Sequence, residues 1–209
     1  MKIVCLGDSL TYGYEVRRSA VWTTLAGRES GALVLNRGVN GMMTSGMLER
    51  FRRDVLEERP DAALLMGGAN DILFELDAAG AENNMADMAR RAREAGIRPF
   101  IGIPAPFCPP VRKDWRSMAD FPGAAPLYEA YIQRLYALSE ENAYERADFY
   151  GAVLKHAAES GEDLRSLYHD GLHLNERGHR VFAACLVRTL REAGLVPPAD
   201  EILSGGGAR

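Results

Sequence analysis

The chain has 209 residues, 47% of them apolar and 26% charged, the proportions of an ordinary globular protein with length enough for one domain around a sizeable core. Its net charge of −4, with no long basic stripe carrying interleaved aromatics, argues against a nucleic-acid partner. The three cysteines, Cys5, Cys108 and Cys185, are too scattered for a disulfide framework or a zinc site.

The chain opens on the apolar run Ile3-Val4-Cys5-Leu6, which passes directly into Gly7-Asp8-Ser9-Leu10. That run is too short for a signal-peptide core, and no later apolar stretch is long enough to span a bilayer. A cytoplasmic chain without membrane insertion is therefore expected. Further strands are predicted at residues 33–36, 62–66, 99–103 and 147–150, after a first at 2–6. Helices are predicted near 20–29, 45–58, 81–95, 127–142 and 175–193, with Gly96 ending the third. None of the strands alternates strictly, as expected of strands buried on both faces. The fold class is thus α/β, a five-stranded parallel sheet covered by helices on both sides.

Arg50-Phe51-Arg52-Arg53 and Arg90-Arg91-Ala92-Arg93 sit among acidic residues at helical spacing and are read as solvated helix faces. Cys5 and Cys185 lie in apolar stretches, as small core residues do, and Cys108 is the one that could be exposed. The stretch 104–126 carries six prolines with Phe107, Trp115 and Phe121, which disfavours helix and central strand alike. It is read as a long loop forming a rim or lid beside a ligand crevice, with those three aromatics as candidate pocket residues. The whole chain is expected to be one domain, 199–209 trailing away as a flexible tail.

Four strand-end or loop segments hold the residue types that acyl transfer requires. Gly7-Asp8-Ser9-Leu10 places a serine where a buried strand breaks into a turn, the place where open α/β sheets form ligand crevices. Serine is a poor nucleophile at neutral pH and needs a base whose tautomer is fixed by a third group. His173 and Asp170, in Asp170-Gly171-Leu172-His173, supply both from one loop. The oxyanion of a tetrahedral intermediate needs preorganised donors, and three candidates are the Gly41 N–H of the second segment, Asn36-Arg37-Gly38-Val39-Asn40-Gly41, the Asn70 side-chain amide of the third, Gly67-Gly68-Ala69-Asn70-Asp71, and the Ser9 N–H. Asp8 and Asp71 are read as turn-holding carboxylates. His156, His169 and His179 are set aside as bases, although His169 neighbours Asp170.

In these four segments, in this order, the chain resembles the GDSL/SGNH hydrolases from Ile3 to about Phe182. The resemblance implies Ser9 as nucleophile, Gly41 and Asn70 as oxyanion-hole donors, His173 as general base and Asp170 as its partner. Gly41 rather than Gly38 is taken for the second segment because the family's glycine lies five residues after the residue matching Asn36. It also implies a flavodoxin-like three-layer α/β/α sandwich and hydrolysis of esters or thioesters with no metal or organic cofactor. The expected function is a serine esterase acting on a small-molecule, short-chain ester, with O-acetyl groups on a carbohydrate among the candidates. The alternatives are an acyltransferase to an alcohol or sugar, built from the same residues, and a catalytically silent binding module on the same fold.

Overall fold

A computed structural model describes residues 1–198; the predicted tail at 199–209 lies outside the described residues. Five parallel strands, β1 (Lys2–Gly7), β2 (Leu33–Gly38), β3 (Ala62–Met66), β4 (Arg98–Ile103) and β5 (Glu145–Asp148), form one sheet in the order β2-β1-β3-β4-β5. This is the flavodoxin-like order, and the direction of winding reverses between β1 and β3. Successive residues of β1 serve opposite layers. Ile3 and Cys5 face one apolar cluster, Val4 and Leu6 the other, as the two-residue period of a strand requires.

The layer under Ile3 and Cys5 is closed by α2 (Trp22–Ser30), α8 (Phe149–Ser160) and α9 (Glu176–Glu192). The opposite layer is closed by α3 (Thr44–Phe51), α4 (Ala69–Glu75), α5 (Ala78–Glu94) and α7 (Phe121–Glu141). Two single-turn helices, α1 (Ser9–Tyr12) and α6 (Lys113–Arg116), sit at the carboxyl ends of the strands. Among the described residues no helix is long and apolar enough to cross a membrane.

Several boundaries differ from expectation, each for a local reason. α7 begins at Phe121, not near 127. Asp120 caps it by accepting from Gly123 N, and Pro122 occupies the first turn, where a missing N–H costs nothing. Burial of Ala124 and Tyr128 then carries the helix through Pro126. β5 stops at Asp148, whose carboxylate accepts from Gly151 N at 2.8 Å and starts α8 over Phe149 and Tyr150, residues expected to be strand. Cys108 is buried, not exposed. Arg50 likewise is no solvated residue: nearly buried, it pairs with Asp54 at 2.6 Å and donates to Gly7 O at 2.9 Å.

Candidate active site

The four segments meet at the carboxyl ends of β1 and β3, beside the point where the winding reverses. Gly7 ends β1 in a space that admits no side chain, since a Cβ there would come 2.5 Å from Met66 O and 2.2 Å from Thr11 Oγ1. That close approach lets the chain turn immediately. Asp8 Oδ1 accepts from Leu10 N at 2.8 Å, which starts α1 with Ser9 at its first position. Asn36 fastens the second segment to this turn: its amide donates to Thr11 O at 2.6 Å and Thr23 Oγ1 at 2.9 Å. Asp71 does not hold its own turn as expected. It accepts instead from Thr44 N at 3.1 Å and Thr44 Oγ1 at 2.5 Å, tying the third segment to the start of α3.

Ser9, His173 and Asp170 form a continuous relay. Ser9 Oγ lies 2.9 Å from His173 Nε2, and His173 Nδ1 lies 2.8 Å from Asp170 Oδ2. Asp170 is fully buried. Burial alone would favour its neutral form, yet hydrogen bonds from the His173 ring and backbone and from Leu172 N outweigh it and hold the carboxyl well below the usual range. An ionised carboxylate can only accept, so Nδ1 carries the ring proton and Nε2 is left to accept from the Ser9 hydroxyl. Gly171 makes the loop possible: its φ of +92° suits glycine, and a Cβ would meet Cys108 O at 2.7 Å. Leu172 N and His173 N both reach back to Asp170 Oδ1, at 2.9 and 2.7 Å.

The other histidines lie elsewhere. His169 is exposed and only its backbone engages the loop, through a bond from its N–H to His173 O at 2.9 Å. His179 is buried, accepts from Trp22 N at 3.1 Å, and is pushed down to about 3 by burial, so it stays neutral as a structural acceptor. Trp22 itself is wholly in the core and donates to Leu10 O at 2.9 Å.

Ser9 and His173 open onto a cavity of about 290 Å³ that Gly41 and Asn70 also line. Gly41 stands at the mouth with φ +70°, and Asn70, the second residue of α4, orients its amide by donating to Met42 O at 3.0 Å. One N–H of that amide remains. Phe107, Trp115 and Phe121 line the same cavity, as expected from the sequence, but no Lys, Arg or Glu does. Tyr14, Leu73, Phe74 and Met118 are lining residues that sequence reasoning missed. Tyr14 follows α1 closely enough to have been considered; its ring packs against that of His173 at 4.5 Å. Among the described residues no group of three His, Cys, Asp or Glu side chains converges as metal ligands would.

Beneath the serine, burial raises the Asp8 carboxyl to about 6. The folded state therefore binds this proton more tightly than the unfolded chain does. Its contribution to stability is complete below the ordinary aspartate range and is lost as pH rises through about 6. Asp8→Asn keeps an acceptor for Leu10 N and removes the charge. Between about pH 4 and 7, wild type is expected to lose roughly 2–3 kcal/mol relative to this variant. Urea unfolding across that range checks the slope, and parallel curves for the two proteins would contradict it.

The model of the GDSL-like lipase/acylhydrolase family matches residues 5–181, from within β1 to within α9, and so spans all four segments. The chain belongs to this family. It is a family of lipases and acylhydrolases by its description, and the sandwich described above is the fold of the solved structures that follow. The lipase/acylhydrolase of Enterococcus faecalis superposes with a TM-score of 0.74 at 23% identity, over 94% of this chain and 97% of that one. A catalytic mutant of an acetylxylan esterase from Geobacillus stearothermophilus superposes with a TM-score of 0.72 at 15% identity, over 90% of this chain and 93% of that one. In sequence, the esterase TesA of Pseudomonas aeruginosa is 28% identical over 110 residues, which is 50% of this chain and 55% of TesA. The chain thus matches about half the length of that curated relative.

Proposed function

We propose that this GDSL-like protein is a serine carboxylic-ester hydrolase working through an acyl-enzyme on a small, neutral ester. The observation that carries the reading is the relay from Ser9 Oγ through His173 to buried Asp170, opening onto a cavity lined mainly by apolar and aromatic side chains. Ser9 Oγ attacks the carbonyl carbon while His173 Nε2 takes its proton, and Asp170 stabilises the imidazolium that results. Gly41 N–H, Asn70 Nδ2 and Ser9 N–H receive the oxyanion. The carbon–oxygen bond to the alcohol then breaks, and the proton on Nε2 passes to the leaving oxygen. Water repeats the sequence on the acyl-Ser9 ester, giving the carboxylic acid and restoring the serine.

Cavity size and lining support the substrate class. About 290 Å³ lies at the lower edge of small-molecule sites, roughly 300–1,000 Å³, and walls such as Leu73, Phe107 and Phe121 suit an uncharged, short acyl group. The structural likeness to an acetylxylan esterase favours a second reading, removal of O-acetyl groups from a carbohydrate. In that case the acetyl enters the cavity and the sugar stays at its mouth, near Asn40 and Gly41.

A fluorophosphonate probe tests the chemistry. It is expected to add one phosphonyl group to wild type, at Ser9, and none to Ser9→Ala; labelling elsewhere or not at all would refute the assignment. A p-nitrophenyl ester series tests the acyl class, with acetate or butyrate expected above octanoate in kcat/KM. Added alcohol or sugar acceptors in the same assay separate transfer from hydrolysis.

A further inference from the structure

We propose that Trp115 is a positioning residue for Asp170 and His173, so that the segment between β4 and α7 serves the acid end of the triad as well as walling the cavity. The inference rests on the reading of Ser9, His173 and Asp170 as a triad. The indole Nε1–H donates to Asp170 Oδ2 at 2.7 Å, the same oxygen that accepts from His173 Nδ1 at 2.8 Å. Asp170 Oδ1 is taken by Leu172 N and His173 N. The buried carboxylate therefore has two donors on each oxygen, and three of the four come from its own loop. Trp115 supplies the one from elsewhere.

The segment is built to deliver that donor. Cys108 N donates to Gly171 O at 2.8 Å and Arg112 N to Asp170 O at 2.7 Å, so the backbone is fastened to the Asp170-Gly171 corner before and after the turn at residues 109–111. On its other side the Arg112 guanidinium reaches Glu15 at 3.1 Å, next to Tyr14. The indole then lies edge-on to Tyr14, with ring centres 5.8 Å apart, and 5.4 Å from the His173 ring. A carboxylate oxygen with a single donor is free to follow that donor, whereas a second one from a separate element fixes the carboxylate plane and with it the imidazole. Small losses of that alignment weaken the attack geometry at Ser9.

Trp115→Phe removes the N–H and keeps an aromatic wall. With p-nitrophenyl acetate and p-nitrophenyl hexanoate, kcat is expected to fall on the order of tenfold for both, with KM for the acetate within about twofold. Fluorophosphonate labelling of Ser9 slows in the same proportion. If Trp115 were only a wall, kcat would hold for both esters while KM rose for the hexanoate, and that result would overturn the proposal. An independent measurement needs no turnover. The chain has two tryptophans, so an indole ¹⁵N–¹H spectrum contains two cross-peaks. Asp170→Asn is expected to move that of Trp115 and leave that of Trp22, bonded to Leu10 O; an unmoved Trp115 signal sinks the inference even if Trp115→Phe does not fold. Wild type that neither turns over nor labels would instead defeat the triad reading, while the indole shift would still report on the Trp115–Asp170 bond.

Discussion

Ser9→Ala is expected to lower kcat for p-nitrophenyl acetate on the order of 10⁴–10⁶-fold and to leave the fold intact. The hydroxyl has one side-chain partner, His173 Nε2 at 2.9 Å, and that nitrogen faces the cavity, where water replaces the lost partner. The turn itself does not depend on the hydroxyl, because Asp8 caps it and the backbone of α1 closes on Gly13, whose N–H donates to Ser9 O at 2.9 Å. The melting temperature is therefore expected to stay within about 2 °C of wild type, a shift that corresponds to about 0.5–1 kcal/mol for a domain of this size. A variant that retained even a tenth of wild-type kcat would dismiss Ser9 as nucleophile. One that lost activity together with its melting transition would show only that the turn had collapsed.

Asn70→Ala should cost about 10²–10³ in kcat with KM changed by no more than about threefold, because an oxyanion donor acts on charge that exists only beyond the ground state. The amide also donates to Met42 O at 3.0 Å, and losing that bond is expected to cost about 1 kcal/mol in urea unfolding. A second substitution checks the oxyanion role. Asn70→Asp cannot donate to the oxyanion or to Met42 O and places negative charge beside both, so its kcat should fall at least as far as that of the alanine variant. If either variant kept wild-type kcat, the amide would have no part in receiving the oxyanion.

Much of this site was legible because Ser9 and Asn70 lie just past strand ends, where short apolar runs stop at glycines, while Asp170 and His173 flank Gly171 in the loop before the last helix. The chemical types of these four residues limit what they can do. The parallel sheet was legible for a related reason: β3, and β1 after Lys2, carry no charged or polar side chain and so no polar face to confuse the period. The boundaries that moved are those decided by capping and packing across the fold. Asp120 and Asp148 each accept from a glycine N–H three residues on and start a helix, against the proline content in one case and the β-propensity of Phe149 and Tyr150 in the other. Trp115 was placed at the cavity by composition alone, but its bond to Asp170 spans 55 residues and has no local signature. Arg50 deceived for the same reason. Its charge among charges looked like a wet surface, and only the assembled sheet brings Gly7 O within its reach.

The position of β1 has a consequence for how activity is lost. Hydrogen-bonded to β2 on one edge and β3 on the other, it is a doubly paired inner strand, the kind of element expected to open last, and Ser9 is mounted directly on its end. His173 and Asp170 sit on a loop with one isolated bridge, Tyr168 to Leu174, secured largely by ties to the segment around residues 108–115. On the proposed reading, Ser9 and His173 thus belong to regions of unequal packing. Warming is expected to release the His173 loop before the sheet, so activity should be lost below the temperature at which far-UV circular dichroism reports the melt; loss of both together would contradict this.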